Sequence, residues 1–247
     1  MTIHVIGDST AASKLDSKRP EAGWAEYLYK YLNPDQDIKI NNQAINGRSS
    51  RSYKEEGHFD KILPDIKAGD YVFMQFGHND SKTDNGGFRY TDPFTTYQAH
   101  LKYYCEEVIK KGAIPVILSS IPRRRFIGHH RLHRFATQQY PFSAKCFAKR
   151  ENILFIDAYK HVKTLLEYLG KEDSKYLFLH LAPNVEPNYP QGVIDDTHLN
   201  TFGARMIAGV IAKQILQQPT PLADFIVSKS LYELVDVKRL IKKYEKN

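Results

Sequence analysis

Five short apolar runs alternate with amphipathic segments along this chain, and that alternation constrains the fold more than any other feature. The runs are 3–7 (IHVIG), 38–45 (IKINNQAI), 71–76 (YVFMQF), 114–121 (IPVILSSI) and 153–158 (ILFIDA). Helical patterns lie between them at 24–32, near 58–67, at 93–112 and at 140–152, with two more at 161–170 and 201–216. A strand that is apolar along its whole length is covered on both faces, as in a parallel sheet whose crossovers are helices. The pattern predicts an α/β domain built on a parallel sheet of five strands. Lys111-Gly112 supplies a helix stop before the fourth strand. No linker composition interrupts the chain before residue 217, so 1–217 reads as one domain. The stretch QQPTPLAD then breaks the pattern, and 218–247 reads as a helical appendage.

A chain of 247 residues buries a sizeable core without covalent staples. Cys105 and Cys146 have no metal-ligand spacing and read as free thiols. No apolar run approaches the ~18 to 20 residues of a membrane helix, so no membrane partner is expected. The start, MTIHVIGDST, lacks a basic region and a long apolar stretch, which favours a cytoplasmic location. The net charge of +7, part of it in the tail VKRLIKKYEKN, leaves two sharper readings beside a merely solvated surface. One is nucleic acid and the other an acidic substrate.

Open parallel sheets place their sites beyond the carboxyl ends of the strands. Those ends carry Gly7-Asp8-Ser9, Asn46-Gly47-Arg48, Gly77-His78-Asn79-Asp80 and Pro122-Arg123-Arg124-Arg125. Ester hydrolysis by serine needs a hydroxyl on a tight turn, a histidine base, a carboxylate to orient it, and oxyanion donors. Ser9 can be that nucleophile, or it can cap a following helix. In DDTHLN (195–200), His198 stands before a helix, with Asp195 and Asp196 in what reads as the same loop. Three residues of separation let the Asp195 carboxylate fold back on the imidazole, whereas Asp196 needs a tighter turn. The backbone N–H groups of Gly47 and Ser9 and the side-chain amide of Asn79 supply donors from three strand ends.

Jointly these blocks resemble the SGNH hydrolases, also called GDSL-like esterases. GDST matches the nucleophile block, NGRSSRS the glycine block, FGHND the asparagine block and DDTHLN the final D-x-x-H block, in order from residue 3 to about 216. VIGDSTAAS, Gly23-Trp24, NGRSSRSY, FMQFGHND and IPRRRF are similar to the rhamnogalacturonan acetylesterases within that family. The resemblance implies a flavodoxin-like three-layer α/β/α sandwich and hydrolysis of acetyl esters on pectic polysaccharide without metal or cofactor. It implies Ser9 as nucleophile, His198 as base, Asp195 as its orienter, and Ser9, Gly47 and Asn79 as oxyanion donors. The helix past residue 220 has no counterpart in it.

Residues 123–134, RRRFIGHHRLHR, hold five arginines and three histidines. Arginine binds carboxylates in a bidentate way, so Arg48, Arg123, Arg124 and Arg125 are candidates for seating an acidic, acetylated oligo- or polysaccharide. No nucleic-acid motif accompanies the stretch, and none is expected as partner. His129 and His130 lack a third ligand at zinc spacing. Three other readings compete. A two-metal phosphoesterase would need converging carboxylates and histidines that the blocks do not supply. A lipid or thioester hydrolase of the same fold would want an apolar rim, and an acetylxylan-type esterase would keep the chemistry but change the sugar. A non-catalytic binding protein would have no need of the nucleophile, base and donor set.

Overall fold

The computed structural model describes residues 1–244. Each of the five runs contains a strand: β1 (Thr2–Gly7), β2 (Lys39–Asn42), β3 (Tyr71–Gln75), β4 (Ile114–Leu118) and β5 (Leu154–Ile156). They pair in parallel in the order β2-β1-β3-β4-β5. That is the flavodoxin-like order, whose crevice opens where the winding reverses, between the ends of β1 and β3.

Side chains alternate between two apolar layers because successive strand residues point to opposite faces. Ile3 and Val5 of β1, Phe73 of β3, Val116 and Leu118 of β4 and Ile156 of β5 join one core. Ile6, Val72, Met74 and Ile117 join the other. The second layer is roofed by α1 (Ser50–Glu55), α2 (His58–Ile62), α3 (Thr96–Lys110) and α4 (Tyr140–Arg150). The first is roofed by α5 (Ala158–Asp173), α6 (Thr201–Leu216) and the segment Trp24–Tyr31, which winds as a 3₁₀ helix. The result is a three-layer α/β/α sandwich. In α6 the buried residues Ala204, Ile207, Ala208, Ile211, Ala212 and Ile215 recur at helical spacing. Asn200 caps this helix by accepting the Gly203 N–H at 2.8 Å.

The segment after 217 packs on this same layer. Leu222, Ile226, Val237 and Ile241 are buried within the first core, the last two from α7 (Leu234–Tyr244). Ile226 also bridges Leu32 as an isolated antiparallel pair. Residues 245–247 of the segment lie outside the described residues.

A second sheet has no counterpart in the apolar runs. Glu21–Ala22, Val193–Asn200 and Phe178–Leu181 pair antiparallel, with Val193–Asn200 in the middle. It stands beside the crevice and carries the D-x-x-H block.

Candidate active site

β1 ends at Gly7, where a Cβ would lie 2.5 Å from the Gln75 carbonyl oxygen; only glycine allows strands β1 and β3 so close there. Asp8 then turns the chain, its Oδ1 accepting the Thr10 N–H at 2.9 Å and the Thr10 hydroxyl at 2.8 Å. Ser9 caps no helix, contrary to one sequence reading, because this turn runs on into irregular chain and the next helical element begins at Asp16. Its hydroxyl is held instead by His198, with Oγ to Nε2 at 2.9 Å. The other ring nitrogen, Nδ1, lies 2.7 Å from Asp195 Oδ2.

The D-x-x-H block lies on a bulged strand, and the loop expected for it is absent. Residues three apart in a regular strand are separated by about 10 Å. Here the register against Phe178–Leu181 slips between Asp195 and Leu199. Asp195 Oδ1 accepts the N–H groups of Thr197 at 2.7 Å and His198 at 3.0 Å, which curls the strand into a local turn. Burial pushes the Asp195 carboxyl up, but hydrogen bonds from the His198 ring and from these two N–H groups bring it down to about 2. The ionised carboxylate therefore keeps the imidazole proton on Nδ1 and leaves the Nε2 lone pair facing Ser9. Asp196 is engaged elsewhere, with Arg124 Nη1 and His180 Nε2 each 2.8 Å from its Oδ1.

Two further strand ends border the same cleft as Ser9. Gly47 has φ +78, a left-handed conformation that favours glycine. The Asn79 Nδ2 group donates to the Arg48 carbonyl at 3.1 Å, and an amide nitrogen carries two N–H groups. Ser9, Gly47, Asn79, Asp195 and His198 all line one cleft of about 590 Å³. Beneath it, Asp8 Oδ2 lies 3.0 Å from His78 Nδ1, with both side chains buried. Burial opposes ionisation of Asp8, but the charge and hydrogen bond of His78 hold its carboxyl below the usual range. Trp24 Nε1 donates to Gln75 Oε1 at 2.7 Å, Gln75 Nε2 to the Thr10 hydroxyl at 2.5 Å, and that hydroxyl to Asp8. The turn carrying Ser9 is thus tied to the strands beneath it by a continuous chain of hydrogen bonds, Trp24 to Gln75 to Thr10 to Asp8.

Ser9, His198 and Asp195 stand in one hydrogen-bonded series, and a sequence comparison finds that residues 5–206 fit the GDSL-like lipase/acylhydrolase family. The chain belongs to that family. As a GDSL-like acylhydrolase it is a carboxylic ester hydrolase. It is 36% identical over 227 residues to rhamnogalacturonan acetylesterase RhgT of Bacillus subtilis, covering 92% of this chain and 94% of that one. It is 28% identical over 243 residues to a rhamnogalacturonan acetylesterase of Emericella nidulans, covering 91% and 89%. Among solved structures, protein YxiM of Bacillus subtilis superposes with a TM-score of 0.74 at 23% identity, over 89% of this chain and 57% of that one. The acetylxylan esterase Axe2 of Geobacillus stearothermophilus gives 0.60 at 18% identity, over 86% and 93%.

The cleft of this acylhydrolase sorts the four arginine candidates. Arg123 lines it, donating to the His78 carbonyl at 3.0 Å. Arg124 does not: it is 7% exposed, and besides Asp196 its guanidinium bonds Ser174 and the Lys171 carbonyl. Arg48 pairs with Glu56 at 2.6 Å and Arg125 is exposed; neither side chain is among those lining the cleft. The rest of the basic stretch forms a small hairpin, Phe126–Ile127 with Arg131–Leu132. Lys18 and Lys82 line the cleft beside Arg123. Burial, then the nearby Arg89 and Arg123, hold the Lys82 ammonium below the usual lysine range. Sequence reasoning missed both lysines, because SKR and DSKT read as ordinary surface. It also missed Gln75, which a polar residue inside an apolar strand could have signalled. No group of three His, Cys, Asp or Glu side chains among the described residues is placed to hold a metal. No helix among them is long and apolar enough to cross a membrane.

Proposed function

We propose that this acylhydrolase removes acetyl groups from acetylated rhamnogalacturonan, with Ser9 as nucleophile, His198 as general base and Asp195 as its orienter. The observation that carries the catalytic part is the unbroken relay of 2.9 Å from Ser9 Oγ to His198 Nε2 and 2.7 Å from Nδ1 to Asp195. His198 takes the Ser9 proton as Oγ attacks the acetyl carbonyl carbon. The resulting oxyanion is received by the N–H groups of Ser9 and Gly47 and by the Asn79 amide. Imidazolium then protonates the departing sugar oxygen and leaves an acetyl-serine. A water deprotonated by His198 attacks this ester, and acetate departs as the proton returns to Ser9.

The substrate class rests on the relatives and on charge. Of the carboxylates that border the cleft, Glu21 is matched by Lys14 at 2.9 Å, and Asp195, hydrogen-bonded to a neutral His198, contributes a single negative charge against the three cations beside it. Lys18, Lys82 and Arg123 have no carboxylate within ion-pair distance among the described residues. A cleft with surplus positive charge concentrates and seats a uronate-bearing chain. A neutral xylan backbone makes no use of that surplus.

Acetate release from acetylated rhamnogalacturonan, acetylated homogalacturonan and acetylated xylan, measured side by side, tests the substrate. Rhamnogalacturonan is expected to be fastest; preference for xylan would overturn the substrate and keep the chemistry. Ser9→Ala is expected to abolish hydrolysis of 4-nitrophenyl acetate with the fold intact, and unchanged activity would overturn the nucleophile.

A further inference from the structure

We infer that Lys14 is a positioning residue of the oxyanion hole, resting on the esterase reading above. Its side chain is 1% exposed. Nζ donates to the Ser9 carbonyl at 2.6 Å and to Asn46 Oδ1 at 2.6 Å, and pairs with Glu21 Oε1 at 2.9 Å. An ammonium has three N–H groups, and each here goes to a different segment. Ser9 carries the nucleophile. Asn46 contributes the carbonyl half of the peptide whose N–H belongs to Gly47. Glu21 lies on the short strand that pairs with Val193–Asn200, the strand of Asp195 and His198. One buried cation thus joins the nucleophile, the glycine donor and the acid–base strand.

The other edges of the donor set have their own ties. Asp8–His78 links the neighbours of Ser9 and Asn79, and Asn79 Nδ2 reaches the Arg48 carbonyl. The edge from the Ser9 peptide to the Asn46–Gly47 turn is bridged by Lys14. Stability alone does not call for a charge here, since a buried ion pair replaced by apolar groups of similar volume is often neutral or stabilising. What the ammonium supplies is direction: short bonds that hold the Ser9 carbonyl, one residue's backbone away from the Ser9 N–H, against the side chain of Asn46, the residue that precedes Gly47. A displacement of ~1 Å at such a site costs on the order of a hundredfold in rate.

The test uses Lys14→Met, the charge-balanced double variant Lys14→Met/Glu21→Gln, and Asn46→Leu, which cuts only the link toward Gly47. Active sites are titrated with a phosphonylating reagent, so that unfolded or inactive molecules do not count. For the lysine variants, kcat on 4-nitrophenyl acetate is expected to fall roughly ten- to a hundredfold. KM should stay within about twofold, and a small boronic acid that forms a tetrahedral adduct on Ser9 should bind more weakly in parallel. Asn46→Leu should move kcat in the same sense, and it decides the question if neither lysine variant folds. A folded variant whose kcat per titrated site stays within about twofold of wild type, with only its melting temperature lowered, overturns the inference. Wild-type protein that neither hydrolyses the ester nor binds the boronic acid would overturn the esterase reading instead.

Discussion

Replacing Asp195 and Asp196 separately by asparagine discriminates between two adjacent carboxylates that differ in what they touch. In Asp195→Asn the amide oxygen can keep the Thr197 and His198 N–H bonds, so the bulge survives. The amide nitrogen then faces His198 Nδ1, two donors cannot meet, and the imidazole is driven to carry its proton on Nε2. Ser9 loses its base without losing its place. Such a tautomer error costs about 10³- to 10⁴-fold in kcat, ~4 to 5.5 kcal/mol of barrier. Asp196→Asn instead weakens a contact with Arg124 and His180 at a side chain 42% exposed. A loss of about 1 kcal/mol in stability and less than about tenfold in kcat is expected there. Steady-state hydrolysis of 4-nitrophenyl acetate at neutral pH, with urea unfolding of each variant, measures both quantities. A larger kcat loss at 196 than at 195 would exchange the two roles, and a loss under about tenfold at 195 would remove the relay from the mechanism. Stability gives a second readout. The Asp195 carboxyl is brought from 3.8 to about 2, worth at most about 2.4 kcal/mol and roughly half that once solvent screens a side chain 28% exposed. A depressed carboxylate stabilises fully above the unfolded value and loses that contribution as pH falls through about 4 to 2. The gap between wild type and Asp195→Asn should close over that interval.

Three other outcomes follow from the same contacts. Asn79→Ala removes one oxyanion donor and should lower kcat about 10²- to 10³-fold with little change in KM, read by the same steady-state assay. Asp80 is fully buried, its Oδ1 accepting from the Ser50 N–H at 3.0 Å and from the hydroxyls of Ser50 at 2.5 Å and Thr91 at 2.9 Å, and burial raises its carboxyl to about 7. The folded state therefore holds a proton that the unfolded chain releases, so stability should fall as pH rises from about 4 to 7; Asp80→Asn, which mimics the protonated acid, should remove that slope in urea titrations. Ile241→Ala should cost about 2–4 kcal/mol of unfolding free energy in a single transition, because Ile241 is 0% exposed inside the sandwich's first core; a loss confined to a separate, earlier transition would mark the 218–247 segment as an independent appendage.

The sheet, and the edge of it at which Ser9, Gly47 and Asn79 gather, were legible in the sequence because both depend on local pattern. Continuous apolar runs such as YVFMQF can be satisfied only between two apolar layers, and their spacing required crossovers. Once the strands were parallel and ordered, Ser9, Gly47 and Asn79 had to emerge at one edge, since chain direction decides where loops fall. A turn after β1 could equally have been a helix cap, and only the absence of a helix at Ser9 separated the two. Partners that are remote in sequence belonged to the tertiary structure. The bulge that brings Asp195 to His198 arises from a register slip against Phe178–Leu181, which no window around DDTHLN encodes. Arg123 and Arg124 are chemically identical neighbours, yet one borders the cleft and the other is drawn inward by Asp196, Ser174 and Lys171. Lys14 has nothing in SKLDSK to set it apart until Ser9, Asn46 and Glu21 surround it. Apolar periodicity is written in neighbours along the chain and so reads directly. The partner of a charge is whichever opposite group the fold delivers within about 3 Å, and the whole chain has to close before that is decided.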